Sequence, residues 1–335
     1  MQNSSISATV DFNQEGIQHG FLTLPYSHDE SAWGSVMIPV TVIKNGDGPT
    51  SLLTGGNHGD EYEGITSLLK LANTLQSEQV SGRVIIVPMM NLPAVHNASR
   101  TSPIDKGNLN RSFPGNPAGS VTEKIADYFT RYLVPLCDFA LDIHSGGKTL
   151  DIVPFAAAHR LDNPDQEEAS ILGAKLFGAP YTMILLEMDA TSLYDTAVEG
   201  QGKVFVTTEL RGGGTSTPQT IAYADRGIRN FLRFAGNLTG AYEKPAQPSR
   251  LLDMPDARCY LQSRHSGIAE YLCELGDRVE TGQLVVQIHS TQRTGAPPVE
   301  YRAERGGIFV ARRFPAMVNL GDTLAVIAED CGEFT

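Results

Sequence analysis

The chain has 335 residues, enough for two domains and a large core, and its 41% hydrophobic and 19% charged residues are those of an ordinary globular protein. A net charge of −12 without a basic stripe excludes nucleic acid as a partner. The first basic residue is Lys44, no apolar run is long enough to span a membrane, and Cys137, Cys259, Cys273 and Cys331 show no CxxC spacing. No secretory signal, membrane partner or cysteine metal site is therefore expected, and the chain reads as cytoplasmic.

From about Ser35 to Gly236 apolar strands alternate with amphipathic helices. Val36, Ile38, Val40 and Val42 alternate as in a half-buried strand. Ser51–Thr54 forms a short apolar strand that breaks on Gly55-Gly56, and His58 and Glu61 follow three positions apart. Ile65, Leu68, Leu69, Ala72 and Leu75 then fall on one helical face. Val84–Met90 and Phe139–His144 read as strands buried in a central sheet. Between them lie Arg100–Pro114, a loop rich in turn residues, and Ser120 with Glu123, a capping box opening a helix to about Leu133. Lys203–Leu210 is a further strand, and Thr217-Pro218 opens a helix to about Phe234. The pattern predicts an α/β fold, a mixed, mostly parallel sheet flanked by helices.

Residues 239–250 read as a linker between a catalytic domain, residues 1–238, and a smaller all-β domain, residues 251–335. In the latter, Gly267–Ile288 and Gly307–Ile327 each run glycine, strand, Leu-Gly-Asp turn, strand. Such a tandem suggests a barrel-sandwich of two similar halves, like that of lipoyl and biotinyl carriers. No lysine follows Lys244, so a carrier role is not supported. The domain is expected to support a homo-oligomer or to cover the site.

His58, Glu61 and His144 supply the two imidazoles and one carboxylate that catalytic zinc prefers, at the carboxyl ends of strands where open sheets build their sites. Asp142, two residues before His144, either orients that histidine or caps a nearby turn. Glu209, at a strand end before Arg211 and three glycines, is a general base or an ordinary strand-end charge. Asn110-Arg111 suits a carboxylate ligand or is a surface turn, and Arg100 is a solvated charge unless a developing oxyanion needs it. The remaining histidines, His19, His28, His96, His159, His265 and His289, read as structural or solvated.

HGDE, NLNR, DIH and a late TEL, in this order, resemble the succinylglutamate desuccinylase/aspartoacylase family of carboxypeptidase-like zinc enzymes. The resemblance implies one Zn2+ per chain on His58, Glu61 and His144, with Glu209 as catalytic glutamate and Arg100 at the oxyanion. It also implies that Asn110 and Arg111 hold the substrate carboxylate, and that the reaction is hydrolysis of a small N-acyl amino acid. SAWGSVMIPVTVI and YDTAVEGQGKVFVTTEL look closest to members acting on an N-acetylated diaminobutyrate in ectoine catabolism, whose extra ammonium would need Glu187, Asp189, Asp195 or Glu199. The other readings are a succinylglutamate- or acetylaspartate-cleaving member, a metallocarboxypeptidase and a non-catalytic binding or carrier protein.

Overall fold

The computed structural model describes residues 4–333. Four parallel strands form the middle of a broad mixed sheet, in spatial order Gly82–Val87, Thr50–Gly55, Phe139–His144 and Val204–Glu209. Most of their side chains are buried, because both faces of the sheet are covered. Leu52, Ile85, Ala140 and Phe205 face one core, whereas Leu53, Ile86, Leu141 and Val206 face the other. Val121–Tyr128 closes the first core; Tyr62–Thr74, Pro164–Phe177 and Pro218–Phe234 close the second.

The helix starts follow local chemistry. Ser120 and Glu123 exchange both bonds of a capping box, and Thr217 caps the helix that begins at Pro218. One expectation for the first helix is corrected. Leu69 is 39% exposed, while Leu71 is 4% exposed and packs in the core. Leu69 lies at the margin of the stripe that Ile65, Leu68, Ala72 and Leu75 define.

The antiparallel hairpin Gly16–Pro25 and Ser35–Asn45 flanks the parallel block on one side. On the other side the direction reverses. Phe155–Ala158 pairs antiparallel with Val204–Glu209, and Tyr181–Ile184 and Arg250–Asp253 continue parallel to Phe155–Ala158. The sheet thus contains two parallel blocks pointing in opposite directions, and the cavity described below lies across their junction.

The two sequence-similar halves beyond residue 260 exchange their short strands. Gly267 and Ile268 pair with Val318 and Met317, while Gly307 and Ile308 pair with Val279 and Arg278. The two Leu-Gly-Asp turns close alike, Asp277 accepting from Glu274 N and Asp322 from Asn319 N, each at 2.9 Å. Strand Thr323–Glu333 is shared: its first half pairs with Gly307–Arg313 and its second half with Arg250–Asp253. Leu150–Ile152 adds a second ladder to Gly307–Arg313.

Candidate active site

Register aligns the carboxyl ends of the parallel block. Thr54, Asp142 and Thr207 form one row across three strands, and His144 and Glu209 form the next. The loop bearing His58 is pressed against the short helix Leu92–His96, where a Cβ on Gly59 would come within 2.0 Å of the Ala94 carbonyl carbon. Glu61 stands at the N-cap of Tyr62–Thr74 but makes no capping bond. Its carboxylate turns inward, with Oε1 2.7 Å from His58 Nδ1 and Oε2 2.8 Å from His144 Nδ1. Ser145 N also donates to Oε2, at 3.1 Å. All three side chains are buried.

Each imidazole is fixed from behind. His144 Nε2 lies 2.7 Å from Asp142 Oδ2, and His58 Nε2 lies 3.2 Å from Asn108 Oδ1. Asp142 is itself held by Thr54 Oγ1 at 2.8 Å and Asn57 Nδ2 at 3.1 Å. An imidazole that donates its Nε2 proton to such an acceptor presents a lone pair at Nδ1. In that tautomer both Nδ1 atoms turn a lone pair toward the Glu61 carboxylate, so three electron-pair donors converge on a position that calls for a cation, with a proton as its stand-in when no metal is bound. This donor set fits a divalent cation, and two imidazoles with one carboxylate match a zinc site that keeps a position for solvent or substrate.

Electrostatics agree with that assembly. Burial opposes the Glu61 charge, but the neighbouring imidazoles outweigh it and hold the carboxyl below the usual range. For His144, burial is outweighed by Asp142 and Glu61, which hold its pKa well above that of an ordinary histidine. Glu209 behaves in the opposite way. Burial, reinforced by the Glu61 charge, pushes its carboxyl up to about 8, and its Oε2 has no hydrogen-bond partner among the described residues.

These groups open into a cavity of about 340 Å³, whose walls include His58, Arg100, Asn110, Arg111, His144 and Glu209. Arg100 reaches over the donor set, its Nη1 3.3 Å from His58 Nδ1 and 3.9 Å from Glu61 Oε1. Asn110 is anchored through Oδ1, which accepts from Tyr194 N at 3.0 Å and leaves its NH2 for the cavity. Arg111 Nη1 donates to the Asn110 carbonyl at 2.7 Å. Tyr194 packs against Phe113, Phe129 and Phe205, so an aromatic cluster locks the NLNR loop to the next wall. Tyr260, Val310, Ala311 and Val326, from the strands beyond residue 259, also line the cavity.

At the far end stands a second group of charges. Ligand atoms of His159, Glu187 and Asp195 lie within 4.8 Å of one another, and His159 Nδ1 is 2.9 Å from Glu199 Oε1. Of the two readings its sequence context left open, structural or solvated, His159 is not the solvated one; it belongs to a largely buried polar cluster. Asn57, Asn108 and Tyr260 also went unread as site residues. Asn57 and Asn108 had a weak signal, one adjoining His58 and the other opening NLNR; Tyr260 had none. Among the described residues, no helix is long and apolar enough to cross a membrane.

Comparison with known proteins extends the resemblance. The model for the succinylglutamate desuccinylase/aspartoacylase catalytic domain matches residues 47–235. The chain is 64% identical to an N-alpha-acetyl-L-2,4-diaminobutyric acid deacetylase of Halomonas elongata, over 97% of this chain and 95% of the relative. It is also similar to the product-bound ectoine utilization protein EutE (DoeB) of Ruegeria pomeroyi, with 54% identity, a TM-score of 0.95 and coverage of 98% of this chain and 100% of the other. A succinylglutamate desuccinylase of a Silicibacter species aligns at 55% identity and TM-score 0.94, again over 98% and 100% of the two chains. The protein belongs to the succinylglutamate desuccinylase/aspartoacylase family.

Proposed function

We propose that the protein is a zinc-dependent amide hydrolase that converts Nα-acetyl-L-2,4-diaminobutyrate to 2,4-diaminobutyrate and acetate, a step in ectoine breakdown. The observation that carries this reading is the meeting, in one small cavity, of the His58–Glu61–His144 donor set, the unpaired carboxylate of Glu209 and the Asn110–Arg111 pair. The 64% identity to the Halomonas elongata deacetylase supports the substrate. A cavity of about 340 Å³ suits a small molecule rather than a peptide, which a metallocarboxypeptidase would need to admit. The carboxylates of Glu187, Asp195 and Glu199 disfavour a substrate with an acidic side chain, as in succinylglutamate or acetylaspartate.

In this reading residues 1–238 form the catalytic unit and residues 251–335 a β unit that narrows the cavity. Zinc on His58, Glu61 and His144 would polarise the acyl carbonyl and acidify the attacking water. Asp142 and Asn108 keep the two Nδ1 atoms aimed at that position. Arg111 and the Asn110 amide grip the α-carboxylate and set the amide bond beside Glu209. Glu209 takes the proton of the attacking water and returns it to the departing amine. Arg100 meets the negative charge that develops on the acyl oxygen.

The test is acetate and amine release by the zinc-loaded protein, compared across Nα-acetyl-L-2,4-diaminobutyrate, N-succinylglutamate, N-acetylaspartate and a blocked dipeptide. The acetylated diamino acid should have the highest kcat/KM, and chelation should abolish its turnover. Preference for the dipeptide would make the protein a carboxypeptidase. No turnover with one zinc bound per chain would make it a binding protein.

A further inference from the structure

Resting on the reaction proposed above, we infer that Glu187 and Asp195 form a cation-binding end of the cavity that takes the side-chain ammonium of the substrate and selects diamino acids. Both residues line the substrate cavity, and both also line an adjoining hollow of about 290 Å³ bounded by His159 and Glu199. Asp195 is 6% exposed, and its Oδ1 is held by Thr196 N at 2.5 Å and Thr196 Oγ1 at 3.0 Å. Glu187 makes no hydrogen bond to another described residue. Glu199 is spent on His159 Nδ1, and the buried Nε2 of that ring has no partner.

The charges do not balance without a ligand. Three carboxylates face one imidazole, and the guanidinium on the wall of the hollow, Arg160, is paired with Asp253 at 2.6 Å. Burial and the Asp195 charge push the Glu187 carboxyl upward, the behaviour of a buried acid lacking a cation. The charges of His159, Arg111 and His144 act the other way on Glu187, but Arg111 serves the α-carboxylate in the proposed reaction and His144 the metal. A primary ammonium with three donors supplies both the missing charge and donors for carboxylate oxygens.

The spacing between the two anchors is built into one backbone segment. Tyr194 N fixes the Asn110 amide, and Asp195 is the next residue. The groups that would hold the α-carboxylate and the side-chain ammonium are therefore set relative to each other by a single peptide unit and the packed Tyr194 ring. Asp189, also on the cavity wall, is exposed and lies outside this cluster.

The experiment compares kcat/KM for Nα-acetyl-L-2,4-diaminobutyrate with that for Nα-acetyl-L-2-aminobutyrate, which lacks only the side-chain amine. The wild type should favour the diamino substrate by at least about 30-fold, the lower end for one partner of a buried charge pair. Glu187→Gln and Asp195→Asn should each cut that ratio by about 10-fold or more; Asn keeps the acceptor for Thr196 N. Equal wild-type rates on the two substrates would leave the reaction intact and overturn the subsite, as would an unchanged ratio in both variants. Turnover of neither substrate would overturn the reaction itself. A second equivalent of bound zinc, lost in His159→Gln, would make the cluster a metal site and also overturn the inference. The wild-type comparison needs no substitution and stands even if a variant fails to fold.

Discussion

At one end of the cavity His58, Glu61 and His144 each have a second partner, from Asn108, Asp142 or Ser145. At the His159–Glu187–Asp195 end, the Nε2 of His159 has no partner and Glu187 makes no hydrogen bond among the described residues. The first end is braced from behind, so its geometry is set before anything binds. The second carries a surplus of charge that a ligand can relieve. A site that must hold a cation through every turnover and a site that must release its occupant call for these two different constructions.

The largest effect is expected at the braced end, from Glu209, whose Oε2 has no partner among the described residues. Glu209→Gln should lower kcat by about 10²–10⁴-fold while zinc content and substrate affinity persist, and the acidic limb of the pH–rate profile should disappear. Loss of the metal in that variant would make Glu209 a ligand and erase the distinction between bracing and catalysis.

Next comes the grip between the two ends. Arg111→Ala should cost about 2–5 kcal/mol in kcat/KM, a penalty that shrinks when the substrate carboxylate is replaced by an amide. Equal penalties on acid and amide would remove Arg111 from the carboxylate site.

Glu63 tests bracing through stability. Burial pushes its carboxyl up to about 7, above the ordinary glutamate value. The unfolded chain ionises near pH 4.5 while the folded one stays protonated, so the wild type loses stability as pH rises from about 4.5 to 7 and then levels off. Glu63→Gln should remove this loss of about 3 kcal/mol, seen as a rise in Tm at pH 8 that is absent at pH 4. A Tm gain equal at both pH values would trace the effect to packing.

The smallest change is expected from the outer support of a ligand. Asp142→Asn should weaken zinc binding by about 10–100-fold in competition with a chelator, with the fold retained. Unaltered affinity would reduce Asp142 to a structural partner of Thr54 and Asn57.

The difference between the ends also explains what could be read from the sequence. Ser120 with Glu123 and Thr217 with Pro218 gave helix starts that match the structure, because capping is chemistry between residues three apart. His58, Glu61, His144 and Glu209 could be picked out because each lies at or just beyond the carboxyl end of a short strand with an apolar run. His159 and Glu187 also follow strand ends, those of Phe155–Ala158 and Tyr181–Ile184. That block runs the opposite way, and antiparallel pairing between Phe155–Ala158 and Val204–Glu209 joins residues about 50 positions apart. Nothing local announces the reversal, so His159 could not be placed beside Asp195. The same holds for Tyr260, which meets the cavity through the ladder between Tyr260–Gln262 and Thr323–Glu333.

The strand Thr323–Glu333 has a mechanical consequence. One end of it pairs with Arg250–Asp253, which in turn pairs with Tyr181–Ile184; the other end pairs with Gly307–Arg313, which the Leu150–Ile152 ladder ties down a second time. Swinging the β unit as a lid would break interstrand bonds in two places, so the enzyme has no hinge there. Tyr260, Val310 and Val326 therefore form a fixed part of the cavity wall. A molecule bound in the cavity meets that wall as it stands, without the β strands closing around it.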